Sequence, residues 1–362
     1  MTSNPFRLAN SHQMPDNPLV TLADYKRNFD IELTNRCNAL CHFCPRDETP
    51  EQGFINFETF RQAIARAEEL KTFPAINTTG QGEPLIHPEI EKFVRYCGDR
   101  GLPHAMTTNA SLLDAAKARS LLDAGLSEIS ISVSDMEADY EDVYGLQWKT
   151  TLENILGFLD INAGRAEVSI NIVSHEYNFD KISAMKEYWR DKGVNKFIVF
   201  DPANRGGACK HGNFFIGNTK YFDEAQQLLR EAEVSAMCSA PFIYLFVGWN
   251  GNYYICCNDY RKTTSLGNVF DHSIEEMDVI KKAKLAKGIQ ACVDCNIDPV
   301  NKVREKLLEV EEGVAEQKDV QALIAELARL QIKQPVDLYE KDWKAPQRVG
   351  VQNSLIAVKE IS

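Results

Sequence analysis

Three closely spaced cysteines carry the first chemical signal in this chain. Cys37, Cys41 and Cys44 follow a Cys-x3-Cys-x2-Cys pattern. Thiolates at this spacing can hold three corners of a 4Fe–4S cluster, which takes four ligands. The segment supplies three, so one iron would be open to a ligand from outside the protein, and an open iron is a catalytic arrangement. A zinc site is the structural alternative, but zinc sites usually pair Cys-x2-Cys units and close at four ligands.

A second set of cysteines lies in the last third of the chain. Cys238 and Cys256 are separated by 17 residues, and Cys292 and Cys295 form a Cys-x2-Cys pair. Four thiolates would ligate a 4Fe–4S cluster fully, and such a cluster would carry electrons instead of binding a ligand. The spacing alone also permits a zinc site with four thiolates, so this alternative stays open.

Three cysteines fall outside both sets. Cys97 lies among apolar residues at helical spacing, which indicates a core position. Cys209 lies in a predicted loop, where the sequence assigns it no role. Cys257 follows Cys256 on a predicted strand, so the two side chains should point to opposite faces. We therefore expect Cys257 to stay outside the second set.

The elements that must position these residues follow a regular alternation. Six short apolar runs are separated by segments of helical spacing, and the runs cover residues 29–33, 75–79, 104–108, 128–133, 167–173 and 196–200. Such alternation predicts an α/β fold of βαβ units with parallel strands. Six units fit an incomplete barrel, whose chemistry lies at the carboxyl ends of the strands. Cys37 follows the first run, in agreement with that placement.

The pattern changes after residue 204. A helix is predicted over 223–232. It is followed by a β-hairpin with arms at 243–249 and 252–256 around the turn residues Asn250 and Gly251. Residues 303–332 are charged and have helical spacing, with a break expected at Gly313.

Two motifs together resemble the radical SAM superfamily. Phe43 precedes the third cysteine of the first set, and Gly80-Gln81-Gly82-Glu83-Pro84 follows the second predicted strand. The resemblance implies a partial (β/α)6 barrel whose first 4Fe–4S cluster binds S-adenosyl-L-methionine at its open iron. One electron then cleaves the cofactor to a 5′-deoxyadenosyl radical, which takes hydrogen from a substrate.

The same resemblance implies a set of cofactor-binding residues. Glycines let the backbone approach a ligand closely, and Glu83 would accept from the methionyl ammonium. Ser132 and Ser134 share a strand face and would contact the ribose or the methionyl carboxylate, although they can equally face a polar barrel interior. Ala110 stands where the family often has glycine. The full predicted set is Phe43, Gly80, Gly82, Glu83, Thr108, Asn109, Ser132, Ser134 and Asn171.

The second cysteine set resembles a SPASM domain in its shortened, twitch form, which binds one auxiliary 4Fe–4S cluster. The arrangement is similar to 2-deoxy-scyllo-inosamine dehydrogenase and related carbohydrate-modifying members. In that comparison Cys257 would return hydrogen to a substrate radical, and Arg205 would serve as a base or substrate contact. Asp135, His175 and Asp201 also follow predicted strands, but solvated or structural roles suit each of these three residues and Arg205 better than a catalytic one.

The sequence therefore predicts a radical SAM dehydrogenase or epimerase for a small polar substrate, with a flavodoxin- or ferredoxin-type electron donor. A peptide-modifying SPASM enzyme is the second expectation, and an iron–sulfur redox or scaffold protein is the third. The expected domains are an N-terminal extension (1–28), the barrel (29–204), the auxiliary-cluster domain (205–300) and a helical C-terminal extension (301–362).

Composition excludes several other classes. The net charge is −12 and the sequence pI is about 5.2, which argues against nucleic acid or an anionic membrane as the main partner. No apolar stretch approaches the roughly 20 residues of a membrane span, and the first residues lack a signal-peptide pattern. Ten cysteines without such a signal predict a reducing compartment, the cytoplasm. The oligomeric state stays open.

Overall fold

A computed structural model describes residues 27–49, 51–70, 75–175, 177–200, 203–209, 220–234, 238 and 240–330. Its first half alternates strands with helices. The elements are β1 (Asn28–Ile31), α1 (Phe57–Glu68), β2 (Ala75–Thr78), α2 (Ile90–Gly98), β3 (His104–Thr108), α3 (Ala115–Asp123), β4 (Glu128–Ser132), α4 (Glu137–Tyr144), α5 (Trp148–Asn162), β5 (Glu167–Val173), α6 (Ile182–Asp191) and β6 (Lys196–Phe200).

The second half is mainly helical around a small β-hairpin. Its elements are α7 (Phe222–Glu231), α8 (Ala240–Ile243), β7 (Tyr244–Val247), β8 (Asn252–Tyr254), β9 (Ser265–Asn268), α9 (Ile274–Lys287), α10 (Gln290–Val293), α11 (Pro299–Glu311) and α12 (Gln317–Leu330).

All nine described strands belong to one sheet in the order β6-β5-β4-β3-β2-β1-β7-β8-β9. The strands from β1 to β6 pair in parallel and in chain order. β7 adds in parallel to the free side of β1, and β8 and β9 then pair antiparallel. The parallel, helix-separated sheet confirms the predicted α/β fold and is consistent with a partial barrel.

Register sorts the side chains of the parallel strands onto two faces. Phe29 and Ile31 of β1 are fully buried in the main core, which helices α1–α6 also enter. Asp30 lies between them on the opposite face, beside Asn77 of β2. The same face carries Ser132 and Asn171, which are direct neighbours on β4 and β5. Polar side chains therefore line the inner face of the sheet, and apolar side chains meet the helices.

Side-chain caps begin several of these helices. The Asn56 side chain accepts a hydrogen bond from the Thr59 amide at 2.8 Å, as expected for the N-cap of α1. Asp114 caps α3 in the same way through the Lys117 amide. These caps satisfy amides that have no partner within the helix.

The hairpin differs from its prediction in length. β7 ends at Val247 and β8 at Tyr254, so Trp249 lies in the turn and Cys256 and Cys257 lie beyond the strand. The turn closes where the Gly251 amide donates to the Gly248 carbonyl. The prediction that both cysteines lie on the strand was therefore wrong. Helices α4, α8, α9 and α10 and strand β9 were not predicted.

The last two helices form a small core with α7. Val303 and Leu307 of α11 pack there with Val320 of α12 and Leu229 of α7. The expected break falls between α11 and α12, where Gly313 has a φ of +74°. Helical structure beyond residue 330 was predicted for a segment outside the described residues. Among the described residues, no helix is both long enough and apolar enough to cross a membrane.

Candidate active site

Hydrogen bonds to the backbone fix the loop that carries Cys37, Cys41 and Cys44. The Arg46 guanidinium donates to the carbonyl oxygens of Cys37 at 3.2 Å and Ala39 at 2.8 Å. The amide of Leu40, on the other side of the loop, donates to the Tyr144 carbonyl at the end of α4 at 2.7 Å. The loop is thus held in shape from within and fastened to the barrel.

The three thiols of this loop lie close enough to influence one another. Burial, with smaller contributions from the charges of Glu83 and Cys44, raises the pKa of Cys37 to about 11. Burial also raises the pKa of Cys41, with added contributions from Cys44 and Cys37. All three side chains are partly exposed. Three neighbouring, accessible thiols on one loop fit a cluster with three protein ligands, whose assembly would displace their protons.

The turn after β2 approaches the backbone just before Cys37. A Cβ atom on Gly82 would lie 2.4 Å from the carbonyl oxygens of both Thr34 and Arg36, so glycine is required for this contact. The Glu83 amide donates to the Arg36 carbonyl at 2.9 Å. A Cβ atom on Gly80 would lie 2.7 Å from Cγ of Glu32. The turn and the cysteine loop therefore form one closely packed unit.

Glu83 joins this turn to the end of β3. Its carboxylate accepts from the Thr108 hydroxyl at 2.7 Å, the Asn109 amide at 2.8 Å and the Leu85 amide at 3.0 Å. Burial raises the pKa of Glu83 to about 6, while these hydrogen bonds lower it. These three hydrogen bonds engage both carboxylate oxygens of Glu83 and fix the orientation of its side chain. The predicted bond from Glu83 to a methionyl ammonium stays a prediction.

Thr108 and Asn109 have mainly positioning contacts. The Thr108 hydroxyl accepts from the Ala110 amide at 3.0 Å, and Ala110 takes the left-handed conformation with a φ of +59°. The Asn109 side chain donates to Asn38 of the cysteine loop at 3.0 Å. The end of β3 thus connects Glu83 with the cysteine loop.

The polar residues of β4 and β5 divide into two groups. Ser134 is buried, and its hydroxyl contacts the Tyr144 hydroxyl at 2.9 Å and accepts from the Val173 amide at 2.9 Å. Ser132 is partly exposed and lies opposite Asn171. Among the described residues, the buried Oδ1 atom of Asn171 has no hydrogen-bond partner. Asn171 therefore offers a free acceptor toward the sheet interior, whereas Ser134 is engaged within the protein.

A second free acceptor lies in the turn after β2. Gln81 is 4% exposed, and its Oε1 atom lacks a hydrogen-bond partner in the part of the chain that the structure describes. A ligand rich in ammonium and hydroxyl donors can satisfy acceptors of this kind, which are costly to leave unpaired. These two acceptors, together with the close glycine backbone, fit an S-adenosylmethionine site beside the cysteine loop.

Phe43 packs between two aromatic rings. Its ring centroid lies 5.9 Å from Tyr144 and 6.1 Å from His175, on which it stacks. His175 contacts the Asp135 carboxylate at 2.9 Å. Burial raises the pKa of Asp135, and the hydrogen bond with His175 lowers it. Asp135 and His175 thus support the cysteine loop through Phe43, while Asp201 lies outside the described residues.

The second cysteine set comes together between the hairpin and α10. Burial raises the pKa of Cys256, and the charges of Cys257, Cys292 and Cys295 raise it further. Cys238 interacts electrostatically with Cys295. The chain segments that carry these four cysteines therefore converge, as an auxiliary cluster requires. Within the described ranges, however, no three His, Cys, Asp or Glu side chains are already arranged so that they could hold one metal ion.

Cys257 also has neighbours outside the second cysteine set. Electrostatic interactions join its sulfur most strongly to Asp30 on the inner face of β1 and then to Arg205. Arg205 donates to the Asn258 side chain at 3.1 Å and has a φ of +53°. Its guanidinium also interacts with Cys44 and Cys209. The two predicted catalytic residues, Cys257 and Arg205, are therefore neighbours between the two cysteine sets.

Sequence reasoning missed three residues of this region. Asp30 accepts from the Asn77 side chain at 2.9 Å, and burial raises its pKa to about 7. The Tyr260 hydroxyl lies 3.7 Å from the Cys44 sulfur. Lys262 forms a buried ion pair with Glu32 at 3.4 Å. The alternation of Asp30 and Glu32 with apolar neighbours was the available signal for a polar inner face.

Comparisons with known families agree with this geometry. Residues 31–188 match the Radical SAM superfamily, and residues 238–296 match SPASM, an iron-sulfur cluster-binding domain. The chain carries a radical SAM domain followed by a SPASM domain. These domains imply a 4Fe–4S cluster that binds S-adenosylmethionine, an auxiliary cluster, and S-adenosylmethionine itself.

Individual relatives match part of the chain. A probable GTP 3′,8-cyclase of Methanocella arvoryzae is 32% identical over 189 residues, 50% of this chain and 58% of that protein. A tungsten-containing aldehyde ferredoxin oxidoreductase cofactor-modifying protein of Pyrococcus furiosus is 24% identical over 177 residues, 47% of this chain and 49% of that protein. The chain spans about half the length of these curated relatives.

A solved structure extends the likeness to more of the fold. Streptococcus suis SuiB, bound to its precursor peptide SuiA, aligns with a TM-score of 0.56 at 15% identity. The alignment covers 76% of this chain and 71% of SuiB. At this identity the likeness concerns the fold alone.

Proposed function

We propose that this protein is a radical SAM oxidoreductase or epimerase for a small polar substrate, such as a sugar or aminocyclitol. The observation that carries the proposal is the grouping of Cys257, Asp30 and Arg205 between the two cysteine sets. A thiol, a carboxyl group and a guanidinium can give hydrogen, take a proton and hold an oxygen substituent.

Residues of the first set, Cys37, Cys41 and Cys44, would hold the cluster that binds S-adenosylmethionine. Cys238, Cys256, Cys292 and Cys295 would hold the auxiliary cluster. When bound, these groups supply one-electron chemistry and a 5′-deoxyadenosyl radical. The backbone at Gly80 and Gly82, with Gln81, Ser132 and Asn171, would contact S-adenosylmethionine, while Glu83, Thr108, Asn109, Ser134 and Phe43 would keep those contacts in place.

Asp30 suits the proton transfer of a dehydrogenation. Loss of hydrogen from a carbinol carbon leaves a hydroxyl whose proton must depart as the second electron is removed. A carboxyl group with a pKa of about 7 can take that proton near neutral pH. The Asn77 amide holds Asp30 in orientation through its 2.9 Å hydrogen bond. The electron would pass to the auxiliary cluster.

Cys257 suits the hydrogen return of an epimerisation. Its S–H bond would break homolytically as a C–H bond forms on the opposite face of the substrate carbon. The resulting thiyl needs one electron and one proton before the next turnover, which a flavodoxin or ferredoxin and Asp30 would provide. A reducing cytoplasm is the compartment in which such donors and free thiols coexist.

Isotope transfer distinguishes the two reactions. Reconstituted protein is incubated anaerobically in D2O with S-adenosylmethionine, dithionite and a panel of aminosugars and aminocyclitols that includes 2-deoxy-scyllo-inosamine. Epimerisation gives a product with one carbon-bound deuterium, and Cys257→Ala abolishes that product while 5′-deoxyadenosine still forms. Dehydrogenation gives a product lighter by two hydrogens, and it survives Cys257→Ala.

Controls separate these roles from folding. Cys97→Ala removes another cysteine, which is fully buried in α2 and belongs to neither set, and it should leave product formation intact. Absence of 5′-deoxyadenosine from cluster-replete protein would contradict the proposal and favour an iron–sulfur redox or scaffold role. Formation of 5′-deoxyadenosine with peptides but with no member of the panel would favour a peptide-modifying enzyme.

A further inference from the structure

One short segment after the hairpin touches both halves of the site. We call residues 256–262 the bridge loop. It begins at Cys256, a member of the second cysteine set, and contains Tyr260, whose hydroxyl lies 3.7 Å from the Cys44 sulfur. The two contacting residues are 216 positions apart in the sequence. The bridge loop is thus a direct protein connection between the two cysteine sets.

Contacts at several points hold the bridge loop against the first set. The Gln81 side chain donates to the Asp259 carbonyl at 3.5 Å. Arg261 pairs with Glu48 beyond the cysteine loop at 3.0 Å. The buried pair of Lys262 with Glu32 ties the end of the bridge loop to the residue that follows β1. A loop held at several points gives Tyr260 a defined position.

In the hydrogen bond between Tyr260 and Cys44, the tyrosine hydroxyl is the donor once the sulfur binds iron. Tyr260 is 5% exposed, and within the described part of the chain its hydroxyl has the Cys44 sulfur as its hydrogen-bond partner. A thiolate bound to iron carries no proton, so the hydroxyl must be the donor. The Arg205 guanidinium lies 5.4 Å from the Tyr260 ring centroid and packs on that ring.

We propose that Tyr260 is a positioning residue that tunes the radical SAM cluster from the SPASM domain. Its hydroxyl donates to the Cys44 thiolate and raises the reduction potential of that cluster, because an added electron places more negative charge on the sulfurs. The bridge loop begins at Cys256, so an intact auxiliary site is what presents the hydroxyl. The inference rests on the cluster assigned to Cys44 and not on the identity of the substrate.

The test is a redox titration of the protein with both clusters, followed by EPR. The signal that changes when S-adenosylmethionine is added belongs to the radical SAM cluster. Tyr260→Phe keeps the ring and removes the donor, and it should move the midpoint of this signal to a more negative potential. A tenfold change in the ratio of reduced to oxidised cluster corresponds to about 59 mV. The auxiliary signal should stay where it is.

Two further variants serve as controls for the redox titration of Tyr260→Phe. Tyr253→Phe removes another buried tyrosine hydroxyl, which donates to the His272 carbonyl, and it should leave both midpoints unchanged. Cys292→Ala, which removes an auxiliary ligand, should shift the SAM-responsive midpoint in the same direction as Tyr260→Phe. The double variant should show little further shift, because each substitution removes the same hydrogen bond, the one from Tyr260 to Cys44.

Two results would overturn the inference. One is an unchanged SAM-responsive midpoint in a Tyr260→Phe protein that retains about eight irons and the wild-type urea midpoint. The other comes from the wild-type protein itself, which keeps the test independent of whether the variant assembles. Pulsed EPR in D2O should detect an exchangeable deuteron coupled to the SAM-responsive cluster, and its absence would exclude the proposed donor.

Discussion

Gly82 gives the most direct test of how the turn after β2 positions the first cysteine set. A methyl group placed there by Gly82→Ala would lie 2.4 Å from two carbonyl oxygens, those of Thr34 and Arg36. Ordinary contacts begin near 3.4 Å, so the two segments must separate by about 1 Å. Both obstacles are backbone atoms, so no side-chain rotation can relieve the overlap.

The size of the effect follows from that displacement. Overpacking of this kind costs about 1–3 kcal/mol of unfolding free energy. A misplacement of about 1 Å in a reacting geometry costs roughly 100-fold in rate. The displaced segment immediately precedes Cys37, and the Glu83 amide donates to the same Arg36 carbonyl. We therefore expect 5′-deoxyadenosine formation to fall about 100-fold.

The assay measures 5′-deoxyadenosine by chromatography from anaerobic protein with dithionite and S-adenosylmethionine, alongside urea unfolding. Gly157→Ala is the matched control, because a Cβ atom there meets nothing within 4 Å and the residue lies inside α5. It should leave the rate unchanged and stabilise the protein by about 0.5–1 kcal/mol. A Gly82→Ala protein with the wild-type rate and stability would refute the reasoning.

Further predictions concern stability and cluster content. His104 is fully buried, its ring has no hydrogen-bond partner within the described ranges, and burial lowers its pKa from 6.5 to about 4. The unfolded imidazole takes a proton below pH 6.5 and the folded one only near pH 4. As the pH falls from 6.5 to 4, the wild-type protein should therefore lose about 3 kcal/mol more unfolding free energy than His104→Gln loses, as measured by urea unfolding. Equal losses in the two proteins would contradict the prediction. Asp278→Ala leaves the buried Arg27 and Lys281 without their shared carboxylate, and it should lower the unfolding free energy by about 3–5 kcal/mol. Glu153→Ala removes only an exposed ion pair and should change the unfolding free energy little. Iron analysis should give about eight irons for wild type and about four when alanine replaces the three cysteines of the first set; about four in wild type would argue against the auxiliary cluster.

Local patterns were sufficient to predict much of the barrel. The bounds of β3, β5 and β6 were predicted as they are observed, because each strand is an apolar run ended by turn residues. Helix α4 was missed although Tyr140, Val143 and Tyr144 have helical spacing and Gly145 ends it with a φ of +64°. Its acidic composition masked that signal, so the periodicity of a few buried residues was overlooked.

The sequence did not predict those parts of the site in which the contacting residues are far apart in the chain. The cysteine spacing identified both cluster-binding sets because metal ligands need fixed local geometry. Tyr260 has no such pattern, since its partner Cys44 is 216 residues away and reaches it only through the folded bridge loop. Asp30 was readable in principle, as a carboxylate alternating with Phe29 and Ile31, but its raised pKa depends on burial that only the assembled sheet creates.

The pairing of β7 with β1 has a consequence for biosynthesis. β1 leaves the ribosome before β7, and its second edge is covered only when Tyr244–Val247 has been made, about 215 residues later. At about 5–20 residues per second, that edge waits roughly 10–40 s. An uncovered strand edge is a template for pairing with another chain. Nascent chains stalled before β7 should therefore aggregate more readily than chains that have completed it, and the SPASM segment, once made, protects an edge of the barrel as well as carrying the second cysteine set.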